Sequence, residues 1–136
     1  MQYVRFRVDF APRCSIGPGK IELLEEIART GSIRQAARAM RMSYRRAWLL
    51  VKSLNQSFSE ASTTASVGGP GGGGVELTPF GADLVRRYRS AAKRIDTLAM
   101  SEFSTIRHKV PTGMTPDAGR SAHKRLSRTV AGKRAR

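Results

Sequence analysis

Residues 32–58 limit what this chain can fold into more than any other stretch. Ser32-Ile33-Arg34-Gln35 has the form of a capping box, in which a Ser hydroxyl and a Gln side chain satisfy each other's exposed amides at a helix start. Ile33, Ala36, Ala37 and Met40 follow at i, i+3, i+4 and i+7 spacing, enough for barely two turns. Arg41-Met42-Ser43 is a tight turn, and Ser43 is a good N-cap for the next helix. That helix carries Ala47, Leu50, Val51, Leu54 and Phe58 on its apolar face. Two short helices, a three-residue turn and small Ala side chains that let the helices cross closely are the signature of a helix-turn-helix.

The flanking segments fit around that unit. Residues 3–10 alternate, with Val4, Phe6, Val8 and Phe10 on one side and Arg5, Arg7 and Asp9 on the other, which predicts a half-buried strand. Pro12 and Gly17-Pro18-Gly19 then break the chain. From Pro18 the period becomes helical through Ile21, Leu23, Leu24, Ile27 and Ala28, and Gly31 is placed to stop the helix. Glu22, Glu25 and Glu26 make this helix acidic, so it is expected to pack inside or against a partner subunit rather than face a polyanion.

After residue 57 the composition turns to Ser, Thr, Ala and Gly, and residues 63–67 and 75–77 read as two short strands around a glycine tip. Thr78-Pro79 announces a last helix whose stripe of Leu84, Val85, Tyr88, Ala92, Ile95 and Ala99 runs for about five turns. That is longer than a domain of this size needs for its own core, and the surplus predicts a helix-to-helix dimer contact. The predicted fold class is therefore mainly α with a small β-sheet: a winged helix-turn-helix over residues 1–103 with a long C-terminal dimerisation helix. Residues 104–136 carry Pro111, Gly113, Pro116 and Gly119 among basic residues and few large apolar groups. They read as a disordered basic tail.

Charge narrows the function. The 136 residues carry 25 Lys and Arg against 10 Asp and Glu, a net charge of +15. Of these, residues 1–103 hold 16 cations and 9 acids, and residues 104–136 hold 9 cations and 1 acid. A polyanionic partner would offset the self-repulsion of such an excess. There is no run of 18 apolar residues to cross a membrane and no unbroken apolar core of a signal peptide, so a cytoplasmic protein is expected. One cysteine, Cys14, with the distant His108 and His123, gives no disulfide or metal framework, and no nucleophile–base arrangement stands out. Neither enzyme activity, a cofactor nor a small-molecule effector is expected.

On the helix after the turn, Tyr44, Trp48 and Lys52 recur every four residues, with Arg45 beside them and opposite the apolar stripe. A major groove admits one helix, and its base edges are read by side chains near that helix's N-terminus. Arg45 suits a guanine and Tyr44 a thymine methyl or sugar, while Arg46 and Lys52 suit phosphates. Trp48 either packs on a base, closes the edge of the core or supports the wing. A solvated basic face is the plainer alternative for the whole set. The glycine run is not a nucleotide loop: no Lys-Ser or Lys-Thr follows it, and Val75-Glu76-Leu77 puts a strand where a helix should begin. Arg86, Arg87, Arg89, Lys93 and Arg94 read as the solvent-facing side of the last helix.

Gly31-Ser32-Ile33, Ala36-Ala37, Met42-Ser43-Tyr44, Ala47-Trp48, Val67-Gly68-Gly69, Gly71-Gly72-Gly73-Gly74 and Leu77-Thr78-Pro79-Phe80-Gly81 together resemble the N-terminal DNA-binding domain of the ModE family. These are molybdate-responsive bacterial transcriptional regulators, distantly similar in that domain to LysR-type regulators. The resemblance covers about residues 3–103. It implies a winged-helix domain that dimerises through its first and last long helices, with a recognition helix from about Ser43 and a wing over residues 68–74. The expected function is a homodimeric, sequence-specific regulator of double-stranded DNA, using Arg34, Gln35, Ser43, Tyr44, Arg45, Arg46, Trp48 and Lys52, with Gly72 and Gly73 on the wing. Residues 104–136 are too short and polar for the family's oxyanion-binding domain, so no sensing domain is expected within them. Pro70 stands where the family's wing tip tends to be basic. An adaptor that uses the same body for protein contacts is the competing expectation.

Overall fold

The computed structural model describes residues 4–67 and 74–109. Along them run β1 (Val8–Ala11), β2 (Cys14–Ile16), α1 (Pro18–Thr30), α2 (Ile33–Ala39), α3 (Tyr44–Ser57), β3 (Thr63–Ser66), β4 (Gly74–Leu77) and α4 (Pro79–Glu102). The strands form two separate antiparallel hairpins, β1 with β2 and β3 with β4. The second hairpin follows α3 directly, in the position of a wing, with Thr63 opposite Leu77 and Ser66 opposite Gly74.

Helix α1 is the wall shared by two halves of the core. Ile21 and Leu24 face Ile16, Leu54, Leu84 and Tyr88, while Leu23 and Ile27 face Ala36, Ala37, Ala47 and Val51. All four α1 side chains are fully buried, each contributing on the order of 1.5–3 kcal/mol relative to exposure. Gly31 ends the helix in the left-handed region at φ 69°, donating its N–H to the Ile27 carbonyl at 2.8 Å. The Gly31 carbonyl then accepts the Val75 N–H at 3.0 Å, so the stop of α1 is also the seat of β4.

Several local expectations needed correction. The alternation over residues 3–10 yields a paired strand only from Val8, and that strand runs on to Ala11. Residues 4–7 dock on α4 instead: the Val4 N–H donates to the Asp96 carboxylate, and the Tyr88 hydroxyl donates to the Phe6 carbonyl at 2.7 Å. The Phe6 and Tyr88 rings stack at 4.3 Å. Period-two patterning reports which side is buried, not whether the burying partner is a strand or a helix. Phe10 is largely exposed, touching Phe58 edge-on, and Ala28 lies outside the buried stripe of α1. β2 was not expected, because three residues are too few to show a period. It is reached through a two-residue turn in which Pro12 precedes Arg13 at φ 63°. The capping box at Ser32 is half formed: its hydroxyl accepts the Gln35 N–H at 3.2 Å, but the Ser32 N–H goes to the Thr30 hydroxyl at 3.4 Å.

The start of α4 is fixed from two sides. Thr78 caps it by accepting the Gly81 N–H at 3.0 Å and donates its hydroxyl to the Ala61 carbonyl at 2.6 Å. A Cβ on Gly81 would lie 2.0 Å from the Ser62 carbonyl oxygen, so no other residue fits without moving backbone. Gly81→Ala is therefore expected to lower unfolding free energy by about 3 kcal/mol, the upper range for overpacking, in a urea melt. Gly19→Ala, in α1 with nothing within 4 Å of the added carbon, serves as the control and should be neutral or slightly stabilising. Equal melts for the two variants would show that the Ser62 contact does not constrain the fold.

Candidate nucleic-acid interface

The outward face of α3 is set by how its two ends are tied. At the N-terminus Ser43 accepts the Arg46 N–H at 3.1 Å, and the Met42 N–H closes the preceding turn on the Ala37 carbonyl at 3.0 Å. Arg41 takes φ 53° in that turn. Toward the C-terminus, Asn55 grips the wing. Its side-chain oxygen accepts the Ser62 and Thr63 N–H groups at 2.9 and 3.1 Å, and its amide donates to the Thr63 hydroxyl at 2.9 Å. Cys14 adds a contact from β2, its thiol lying 3.2 Å from the Ser57 carbonyl, which gives this cysteine a structural place.

With Ala47, Val51 and Leu54 buried and Leu50 half-buried, helical geometry turns Tyr44, Arg45, Trp48, Leu49 and Lys52 to the opposite side. Trp48 does not close the core: it is 43% exposed, beside Tyr44 at 46% and Leu49 at 48%. Tyr44, Arg45, Trp48 and Leu49 line a shallow open groove. The Arg34 guanidinium sits 4.9 Å over the Tyr44 ring, linking α2 to α3, and the Lys52 ammonium lies 5.2 Å from the Trp48 ring. Gln35, Ser43 and Arg46 are also exposed at this end of the two helices. Of the ten expected site residues, Arg34, Tyr44, Arg45, Trp48 and Lys52 are thus joined by contacts on one surface. Gly72 and Gly73 lie outside the described residues.

Charge is segregated across the molecule. No Asp or Glu occurs between Glu26 and Glu60. Arg34, Arg38, Arg41, Arg45, Arg46 and Lys52 all fall in that interval, and among the described residues none forms an ion pair. The ion pairs lie on other parts of the molecule: Arg7 with Asp9, Arg29 with Glu26 on α1, Arg86 and Arg87 with Asp83 on α4, and Arg89 with Glu25 across α1 and α4. The two Arg partners hold the Asp83 carboxyl below its usual range. These pairs agree with a solvent-facing basic side on α4.

Leu49 was not foreseen as part of this surface. The spacing of Leu49 one residue after Trp48 would have flagged the leucine.

Two further observations bound the chemistry. Among the described residues no group of three or more His, Cys, Asp or Glu could hold a metal ion. No helix among them is long and apolar enough to cross a membrane.

Three helices around a helix-turn-helix, a following hairpin and a long last helix make this a winged helix-turn-helix. No family model matches the chain. Over part of its length it is similar to ModE-type proteins. It is 42% identical over 73 residues to the molybdenum-pterin-binding protein MopB of Rhodobacter capsulatus, covering 54% of this chain and 27% of that protein. It is 36% identical over 90 residues to the transcriptional regulator ModE of Yersinia pestis, covering 66% and 33%. To the DNA-binding transcriptional dual regulator ModE of Escherichia coli K12 it is 39% identical over 71 residues, covering 52% and 27%. The chain thus spans a third or less of the length of these relatives, and the resemblance read from the sequence is to the same proteins. Among solved structures, the S. aureus MepR–DNA complex is similar at a TM-score of 0.50 and 14% identity, over 86% of this chain and 78% of that one. At that identity the likeness is one of fold.

Proposed function

We propose that the chain is a sequence-specific, double-stranded DNA-binding transcriptional regulator of the ModE type that acts as a homodimer. The observation that carries this reading is the outward face of α3, aromatic and cationic, within a stretch of sequence devoid of carboxylates. In this reading α3 enters a major groove, Arg45 contacts a base edge, and Arg46 and Lys52 bind phosphates. Arg34, Gln35 and Ser43 lie at the groove edge. The names of the Yersinia and Escherichia relatives support the same assignment. No catalysis or small-molecule effector is part of it.

The pairing of two copies is supported by α4. Its 24 residues extend roughly 36 Å, yet only Gly81, Leu84 and Tyr88 are buried in the chain's own core. Beyond them Ala91, Arg94, Ile95 and Leu98 line an open groove, and Leu98, Met100 and Phe103 are more than half exposed. A dimer along this helix would set two α3 helices in successive major grooves of a pseudo-palindromic site.

Fluorescence anisotropy on duplex DNA tests the first part. Binding should weaken with salt by roughly one decade per decade of salt for each phosphate neutralised. Arg45→Ala should cost about 1–3 kcal/mol on a selected site and less on random DNA. Equal losses on both would make Arg45 a phosphate contact only, and indifference to duplexes at low salt would leave the protein-adaptor reading standing. Sedimentation equilibrium tests the second part: the wild type should be a dimer, and Ile95→Glu with Leu98→Glu a folded monomer with weakened specific binding. A monomeric wild type would remove the dimer.

A further inference from the structure

The patch that phosphate binding leaves unexplained is apolar. Tyr44, Trp48 and Leu49 stand 46%, 43% and 48% exposed on the outward face of α3, and none belongs to either buried cluster. A helix that met only a sugar–phosphate backbone would need cations there, not an isobutyl group and two aromatic rings. Exposed apolar side chains gathered on one face mark a surface that is covered in use. The frame around the patch is cationic: Arg45 lines the same groove, Arg34 stacks on Tyr44, and Lys52 sits beside Trp48. With no carboxylate between residues 27 and 59, the occupant is negatively charged at its rim and apolar at its centre. In the major groove one base edge has that character, because thymine carries a C5-methyl group between flanking phosphates.

We infer that Tyr44, Trp48 and Leu49 form a methyl-accepting surface that recognises thymine C5-methyl groups, so that thymine, and not only guanine opposite Arg45, specifies the site. The inference rests on α3 being the recognition helix and goes further by naming the chemical group it reads. Leu49 becomes a specificity-determining residue. Each thymine methyl buried against the patch strengthens binding about fourfold, the ratio expected for one buried methyl group.

The test begins with a random-sequence duplex pool enriched on the full chain. The enriched duplex is then resynthesised with deoxyuridine in place of thymidine, one position at a time, which removes the methyl and leaves base pairing and charge intact. At one to three positions per half-site, deoxyuridine should weaken binding about fourfold each. Trp48→Ala and Leu49→Ala, checked as folded by circular dichroism, should bind the two duplexes alike. Deoxyuridine duplexes that bind as well as thymidine ones would overturn the inference while leaving α3 as a DNA reader. Discrimination that survives in both variants would also overturn it. Unchanged DNA affinity in both variants would assign the patch to a protein partner instead. If no sequence enriches at all, the recognition-helix reading falls and the methyl inference with it.

Discussion

Ala36 and Ala37 on α2 and Ala47 on α3 retain at most 2% of their exposure, and Leu23 and Ile27 of α1 close over them. Small side chains at the crossing let the two helices pack closely, and close-packed interiors give little when pushed. The orientation of α3 therefore follows from three methyl groups. Any larger side chain at Ala47 would tilt the helix and move Tyr44, Trp48 and Lys52 with it. The bonds at its ends serve the same purpose: the Ser43 cap at one, and the Asn55 grip on Ser62 and Thr63 at the other.

The distribution of charge complements this mechanical arrangement. Acidic side chains are spent on α1 and α4, where they neutralise Arg29, Arg86, Arg87 and Arg89, all at exposed sites where such pairs contribute little stability. The helix-turn-helix, by contrast, carries six cations, Arg34, Arg38, Arg41, Arg45, Arg46 and Lys52, and no carboxylate. A field concentrated on one face steers a polyanion toward it and fixes orientation before contact. In the proposed complex, the apolar groove lined by Tyr44, Trp48 and Leu49 would supply what charge cannot, a dependence on the base groups it meets.

Much of this was legible in the sequence. The stripes of α1 and α3, the turn between α2 and α3, the Ser32, Ser43 and Thr78 caps and the Gly31 stop all declare themselves, because helix period and capping chemistry are local. The wing strands were found within a residue, since the glycine run separates them. What escaped was non-local. Nothing in residues 4–7 says that they pair with Asp96 and Tyr88 on α4, 80 or more positions away, and the three residues of β2 carry no pattern. The necessity of Gly81 is invisible until Ser62 is placed beside it. At the interface, Tyr44, Trp48 and Lys52 were found from their spacing of four. Leu49 was passed over although it lies four residues after Arg45 and off the apolar stripe, a spacing that places it on the outward side.

In the proposed complex, duplex DNA meets the protein chiefly along the outer side of α3. Titrating the isotopically labelled protein with an enriched duplex and following its amide and indole resonances tests this residue by residue. The largest shifts are expected over residues 44–52 and at the Trp48 indole N–H, with α1 undisturbed. Shifts gathered on the exposed end of α4, with α3 silent, would contradict the account.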